Sequence, residues 1–227
     1  MGFYFDPVYF LFVLPPMFLG LYAQWKVKSA FSEMSRIPAR FSGAQAARQM
    51  LDHAGLQSVG IEQVSGHLSD HYDPRGKVLR LSGDVYNGRS MAAVGVACHE
   101  AGHAFQDAHG YAPLKLRNLA VPAAGFGSSF GIGMLMLGVL LHVKPLLLLG
   151  IILFAGVVVF QVINLPVEFN ASARAREELV AQGMISGNEE HYVAKVLNAA
   201  ALTYVAGTLQ ALMTLLYYIY VLVVDRR

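Results

Sequence analysis

Cysteine and charge are both scarce in this chain of 227 residues. The single cysteine, Cys98, cannot form an intramolecular disulfide, which excludes a disulfide scaffold. Only 14% of the residues are charged and the formal net charge is +2, with no long basic run, so we expect no nucleic-acid partner. What is abundant is apolar sequence, at 55% of the residues, and this excludes a disordered protein and argues against an ordinary soluble domain.

The apolar residues are concentrated in four blocks, each close to the roughly 20 residues that cross a bilayer as a helix. The blocks are Phe3–Tyr22, Leu119–Leu141, Leu146–Leu165 and Ala199–Val224. The first contains Asp6, Pro15 and Pro16, and we interpret it as a kinked membrane helix that is retained as an anchor. The sequence therefore predicts an α-helical, multi-pass membrane protein with about four transmembrane helices in the lipid bilayer.

The second and third blocks are separated by only four residues, 142–145, and are predicted to form a hairpin across the membrane. The polar stretches on either side of this hairpin, 25–118 and 166–198, must then lie on the same face. Fourteen of the seventeen Lys and Arg residues are on that face, so the positive-inside rule predicts that it is cytoplasmic, in the cell membrane. The predicted segments are an anchor (1–25), a polar domain (26–118), a hairpin (119–165), a helical segment (166–198) and a C-terminal transmembrane helix (199–227).

Within the first polar stretch, local patterns predict two helices and two strands. Ser42 is a suitable N-cap for a helix that ends at Gly55, and a second, buried helix is predicted from Ser90 to about Asp107. Residues 60–64 and 77–81 have the alternation of strands, and the residues between them are predicted to form a turn-rich loop.

The predicted helix after Ser90 carries a metal-binding motif, H-E-x-x-H, from His99 to His103. Its spacing puts both imidazoles on one face, one turn apart, where they can bind a single zinc ion. Glu100 is then the candidate general base, which accepts a proton from a water molecule as it attacks a carbonyl. The motif predicts a zinc hydrolase; two unrelated helix histidines are the alternative.

Glu168 is the best candidate for the third zinc ligand. It follows the end of the third apolar block and lies on the same predicted face of the membrane as His99 and His103. The alternative interpretation is an acidic residue near a helix N-terminus, where the helix dipole favours it.

The chain resembles a known family, the YugP-like membrane-associated zinc metallopeptidases, related more distantly to the HtpX group of membrane gluzincins. The resemblance covers nearly the whole chain and rests on Ser42-Gly43, Val64–Arg75, Leu79–Ser82, Val85–Asn87, His99–Gln106 and Leu165–Ser172. It implies one Zn²⁺ per chain on His99, His103 and Glu168, with Glu100 catalytic. It also implies a small α+β gluzincin-like domain on one face of the membrane, and proteolysis of a peptide or protein substrate as the activity.

One position departs from the HtpX-like pattern: Ser172 stands where those relatives have an aspartate that supports a zinc histidine. We leave open whether Asn170, Asp107 or Asp73 takes that orienting role instead. The group that stabilises the oxyanion is also left open, and its candidates are His191, Tyr192, Tyr72 and Arg174.

We expect the strand at 77–81 to be an edge strand that binds the extended substrate by β-augmentation. His67 and His71 are expected to belong to a structural loop near the site, and Cys98 to be a small core residue. Two alternatives to a membrane-anchored peptidase stay open: an intramembrane protease of the site-2 type, and a non-catalytic membrane scaffold. A homo-oligomer or a regulatory membrane partner also stays open.

Overall fold

A computed structural model describes residues 7–67 and 69–224. Four helices in this part of the chain are long and apolar enough to cross a membrane, which confirms the predicted number of spans. They are α1 (Pro7–Met34), a composite of α5 (Ala112–Phe126), a π-helical turn (Gly127–Gly131) and α6 (Ile132–Leu140), then α7 (Lys144–Ala181) and α8 (Glu190–Val224). The start of the first apolar block, 3–6, lies outside the described residues.

Two of these helices continue well beyond the predicted boundaries. Helix α1 passes through Pro15 and Pro16 and ends at Met34, where the sequence predicts an end near residue 25. Helix α7 passes through Pro166, so that the predicted helical segment at 166–198 is mainly the end of α7 and the start of α8. A proline removes only one hydrogen bond of the helix ladder, and packing against neighbouring helices compensates for that loss.

The chain divides into two compact units. The apolar unit comprises the described residues within 7–23, 116–165 and 203–224, and the polar unit comprises 24–115 and 166–202. In the apolar unit, glycines allow close backbone approach. A Cβ atom at Gly127 would lie 2.4 Å from the carbonyl oxygen of Leu153, and one at Gly138 would lie 2.6 Å from the amide nitrogen of Leu147.

The polar unit contains a three-stranded sheet in the order β1-β3-β2. β1 (Gly60–Val64) and β3 (Val78–Ser82) agree with the predicted strands within one residue, and they pair in parallel. β2 (His71–Asp73) lies in the predicted loop and pairs antiparallel with the other side of β3. The expectation that the strand at 77–81 is an edge strand is therefore wrong, because β3 is paired on both sides.

Sequence patterns miss β2 because it is short, and a local turn places it beside β3. The Asp73 carboxylate accepts hydrogen bonds from the backbone N–H groups of Arg75 and Gly76, and this turn reverses the chain so that β2 folds back on β3. Three residues are too few for an alternation pattern to be recognised. The prediction of a turn-rich loop here was therefore incomplete.

Helix α4 (Met91–Ala108) is the centre of the polar unit and has the predicted extent, with Ser90 as its N-cap. Helix α2 (Gly43–His53) packs on it and begins with a capping box between Ser42 and Gln45, and α3 (Gly83–Tyr86) follows β3. The shared hydrophobic core includes Met50, Leu51, Leu79, Leu81, Val85, Ala97, Ala101, Leu179, Val193 and Leu197. This core surrounds α4 with strands and helices and fixes the direction of its polar face.

Candidate metal centre

The two histidines of the motif lie side by side on α4. The imidazole centroids of His99 and His103 are 4.8 Å apart, with the ring planes at 82°. Both side chains are nearly buried, with 12% and 11% of their surface exposed. The helix repeat alone brings these rings together, because residues four positions apart lie on one face.

Glu168 joins them from α7. Its Oε2 atom is 3.3 Å from His99 Nε2 and 3.5 Å from His103 Nε2. One ligand atom from each of the three residues lies within 4.8 Å of the others, and no other group of three or more potential metal ligands is found in the described part of the chain. The structure thus brings together the three residues that the sequence nominated, from two helices, although Glu168 comes 65 positions after His103 in the chain.

Close packing of the two helix backbones makes this approach possible. A Cβ atom at Gly102 would lie 2.6 Å from the carbonyl oxygen of Ala171. The absence of a side chain at Gly102 therefore lets α7 approach α4 closely, within one turn of both histidines and of Glu168.

The donor set fits a zinc ion. Glu168 Oε2 is buried and has no hydrogen-bond partner, which is an expensive state for a carboxylate oxygen unless something else binds it. The Nδ1 atoms of both imidazoles face oxygen atoms instead, leaving the Nε2 atoms toward Glu168. Two imidazole nitrogens and one carboxylate oxygen are a ligand set that catalytic zinc uses.

The electrostatics of the cluster favour a cation. Burial opposes ionisation of His103, but the adjacent Glu168 carboxylate and the charge of Glu100 outweigh burial and raise the pKa of this imidazole. Both carboxylates are themselves buried, with 8% and 4% of the residue exposed for Glu100 and Glu168. A bound divalent cation would compensate these charges.

The partners of the histidine Nδ1 atoms are Ser172 and Gln106. Ser172 Oγ is 3.1 Å from His99 Nδ1, and Gln106 Oε1 is 3.0 Å from His103 Nδ1. Ser172 therefore contacts the histidine itself, although it is the position that departs from the HtpX-like pattern. Gln106 was not among the nominated orienting residues. Its spacing of three from His103 on a buried helix is the signal that could have found it.

The three residues nominated for the orienting role contact other groups. Asn170 Oδ1 accepts a hydrogen bond from Gln106 Nε2, so Asn170 acts on His103 only through Gln106. Asp107 accepts hydrogen bonds from the Tyr72 hydroxyl and from Lys77. Asp73 pairs with Arg80.

Glu100 is hydrogen-bonded to β2, one of the two edge strands of the sheet. Its Oε2 atom accepts a hydrogen bond of 3.0 Å from the backbone N–H of Tyr72 in β2, while the Tyr72 hydroxyl donates to Asp107 Oδ2 at 2.7 Å. Tyr72 thus contacts two residues of α4, seven positions apart on the same face. Burial, followed by the hydrogen bond to Asp107, raises the pKa of the Tyr72 hydroxyl, so it stays protonated.

Of the four candidates for oxyanion stabilisation, two hydrogen-bond to residues of the site. The backbone N–H of Tyr72 donates to Glu100 Oε2, and Arg174 Nε donates to Asn170 Oδ1 at 2.8 Å. His191 Nδ1 faces the carbonyl oxygen of Asn188, and its ring lies 3.9 Å from that of Tyr192. The role itself stays a prediction.

The other nominated side chains do not join the cluster. His67 Nδ1 is 3.3 Å from Asp84 Oδ2, and His71 Nδ1 is 2.9 Å from the carbonyl oxygen of Ser69, so the two exposed rings have separate partners. Cys98 is fully buried, and burial raises the pKa of its thiol. A buried, protonated thiol is a packing residue and a poor zinc ligand.

Comparisons with known proteins agree with the resemblance drawn from the motifs. A family model described as "Putative neutral zinc metallopeptidase" matches residues 9–223. The chain is 49% identical over 203 residues to "Putative membrane protease YugP" of Bacillus subtilis (strain 168), an alignment that covers 88% of this chain and 90% of that relative. No solved structure matches the chain.

Proposed function

The chain belongs to the neutral zinc metallopeptidase family, and on that premise we propose that it is a membrane-bound zinc metalloendopeptidase. In this proposal His99, His103 and Glu168 hold one Zn²⁺ per chain. The observation that carries it is the convergence of two Nε2 atoms on the buried Glu168 Oε2, which has no hydrogen-bond partner. The substrate is a peptide or protein.

Glu100 is the general base of the proposed mechanism. When bound, zinc polarises the carbonyl of the scissile bond and lowers the pKa of a water molecule. The Glu100 carboxylate takes a proton from the attacking water and delivers it to the leaving amine, so that the peptide bond is hydrolysed. The N–H of Tyr72 orients this carboxylate, since it binds Oε2 and leaves Oε1 for the proton transfer.

The outer edge of β2 is the proposed substrate-binding strand, in place of β3. In a strand, the N–H and C=O of one residue point to the same side, and the Tyr72 N–H points away from β3 toward Glu100. The Tyr72 carbonyl therefore also points outward. An extended peptide can donate a hydrogen bond to that carbonyl, which would align its backbone beside the general base.

We place the protein in the cell membrane as a multi-pass protein, with the zinc site on the cytoplasmic side. The four apolar helices and the excess of Lys and Arg in the polar segments support this placement. Helix α4 is not among the helices apolar and long enough to span a membrane in the described part of the chain, which disfavours the site-2 alternative.

Cleavage of an unfolded model protein by the detergent-purified full chain tests the proposal. Wild type is compared with Glu100→Gln, which leaves the three ligands intact, with His99→Ala, which removes one, and with Glu177→Gln as a control on an exposed part of α7. We expect Glu100→Gln to retain zinc and lose at least about a hundredfold in activity, within the range for a general base. His99→Ala should lose zinc and activity together.

The alternatives give different results in the same experiment. Zinc bound by wild type without turnover, under conditions where a positive-control peptidase cleaves, contradicts the peptidase proposal and favours the scaffold or a missing regulatory partner. Equal activity of wild type and Glu100→Gln would contradict the assignment of the base.

A further inference from the structure

The amide side chain of Gln106 is fully buried and lies next to the Nδ1 atom of His103. Its oxygen is 3.0 Å from His103 Nδ1. Its nitrogen donates to the carbonyl oxygen of Val167 at 2.7 Å and to Asn170 Oδ1 at 3.0 Å. The amide therefore links the motif helix to the backbone and a side chain of α7.

The Val167 carbonyl determines which way this amide points. A carbonyl oxygen can only accept a hydrogen bond, so the nitrogen of Gln106 must face it, and the amide oxygen must face His103. The amide oxygen can only accept a hydrogen bond, so the imidazole nitrogen that faces it has to carry a proton. His103 Nδ1 is thus protonated, which leaves Nε2, on the side of Glu168, as the nitrogen that can bind a metal ion.

Arg174 favours the same orientation of the Gln106 amide, through its hydrogen bond to Asn170. Its Nε atom donates to Asn170 Oδ1 at 2.8 Å, and a guanidinium group can only donate. The oxygen of Asn170 therefore faces both Arg174 and Gln106, and the Gln106 group that meets it must be the nitrogen. The Val167 carbonyl can only accept and the Arg174 guanidinium can only donate. Both therefore favour the same orientation of the Gln106 and Asn170 amides.

The partner of the other histidine has no such polarity. Ser172 Oγ lies 3.1 Å from His99 Nδ1, and a hydroxyl can donate or accept. The tautomer of His99 is therefore not determined by its partner, whereas that of His103 is.

We propose that Gln106, Asn170 and Arg174 form an amide relay that holds His103 in the tautomer that can bind metal through Nε2. Arg174 and Asn170 are positioning residues, because their hydrogen bonds connect to His103 through Gln106. The inference rests on the proposed metal site. It assigns to Arg174 a role different from the oxyanion role for which the sequence nominated it.

Zinc affinity of the full chain in detergent, measured by competition with a chromophoric chelator, tests the relay. Asn170→Leu removes the acceptor, and Asn170→Asp keeps it for both donors. Arg174→Met removes the cation, and Arg174→Lys keeps a group that can only donate. Arg176→Met is the matched control, because Arg176 lies two residues further along α7 and its guanidinium pairs with Glu190.

We expect Asn170→Leu and Arg174→Met to weaken zinc binding by about five- to tenfold, at the lower end of the range seen for residues that orient metal ligands, because the Val167 carbonyl still faces the Gln106 nitrogen. Asn170→Asp, Arg174→Lys and Arg176→Met should stay within about threefold of wild type. Equal losses in the leucine and aspartate variants, or no loss in either, would overturn the relay. If Asn170→Leu fails to fold, as judged by the thermal unfolding of the metal-free protein, the Arg174 pair decides at a partly exposed position.

A second readout does not involve metal. The ¹⁵N chemical shifts of the His103 side chain in the metal-free protein report whether Nδ1 carries a proton, whatever the state of Nε2. We expect Nδ1 to be protonated in wild type and a fraction of the rings to lack this proton in Asn170→Leu. Wild-type rings without a proton on Nδ1 would contradict the relay. By contrast, if wild type binds zinc no better than His103→Ala, the proposed metal site itself fails, whatever the shifts show.

Discussion

The two units of this protein use different means to bring helices together. In the apolar unit, glycines on α5–α6 and α7 let backbones touch, as at Gly138, and packing provides the contact. In the polar unit, one such contact at Gly102 is accompanied by directed hydrogen bonds from Gln106 and Ser172. The difference indicates that packing alone is enough to join two helices, whereas holding ligand atoms in a defined orientation requires groups of fixed hydrogen-bond polarity.

The largest effect is expected when the close contact of the polar unit is broken. Gly102→Ala puts a Cβ atom 2.6 Å from the Ala171 carbonyl oxygen, so α4 and α7 must separate. Because Glu168 and Ser172 are on α7, the ligands lose their geometry, and we expect zinc affinity to fall at least about tenfold. Chelator competition measures this loss, and unchanged affinity would contradict the role assigned to Gly102.

The same substitution in the apolar unit should act on stability. Gly138→Ala puts a Cβ atom 2.6 Å from the Leu147 amide nitrogen, and we expect a loss of about 1–3 kcal/mol, the usual result of overpacking. Gly133→Ala is the matched control on the same helix, since nothing lies within 4 Å of its Cβ position. Thermal unfolding in detergent compares them, and equal midpoints would refute the packing argument.

A smaller effect is expected at the edge strand. Tyr72→Phe removes the hydroxyl that donates to Asp107 but keeps the ring and the backbone N–H that holds Glu100. We expect a loss of about 0.5–1.5 kcal/mol in stability and a rise in KM larger than the fall in kcat. Unfolding and peptidase kinetics measure both. A fall in kcat with unchanged KM would instead assign the hydroxyl to the reacting groups.

The smallest expected effect is on the stability of the protein at acidic pH. Hydrogen bonds from Arg80, and then from the backbone of Gly76 and Arg75, lower the pKa of Asp73 to about 2 from its usual 3.8. A lowered pKa stabilises the folded state above the unfolded-state pKa, and this stabilisation is lost as the pH falls from about 4 toward 2. The difference in thermal unfolding midpoint between wild type and Asp73→Asn should therefore become smaller as the pH is lowered from about 5 to about 2.5. A constant difference would contradict the linkage.

Much of the site could be predicted because its main parts are local. The spacing of His99 and His103 is a property of one helix, and the position of Glu168 after an apolar block follows from the topology of the spans. The proximity of Gln106 to His103 is local, but the direction of its amide depends on Val167 and Asn170, which are more than 60 residues away, and no sequence pattern shows that contact.

The sequence by itself determined the four apolar helices, the two longer strands and the pairing of the motif histidines, since each depends on periodicity or length within one segment. Tertiary structure decided that β3 is the central strand and β2 an edge strand, and that Ser172 and Gln106 contact the two Nδ1 atoms. The physical reason is that strand order and hydrogen-bond partners depend on which distant segments pack together, and no local pattern encodes that choice.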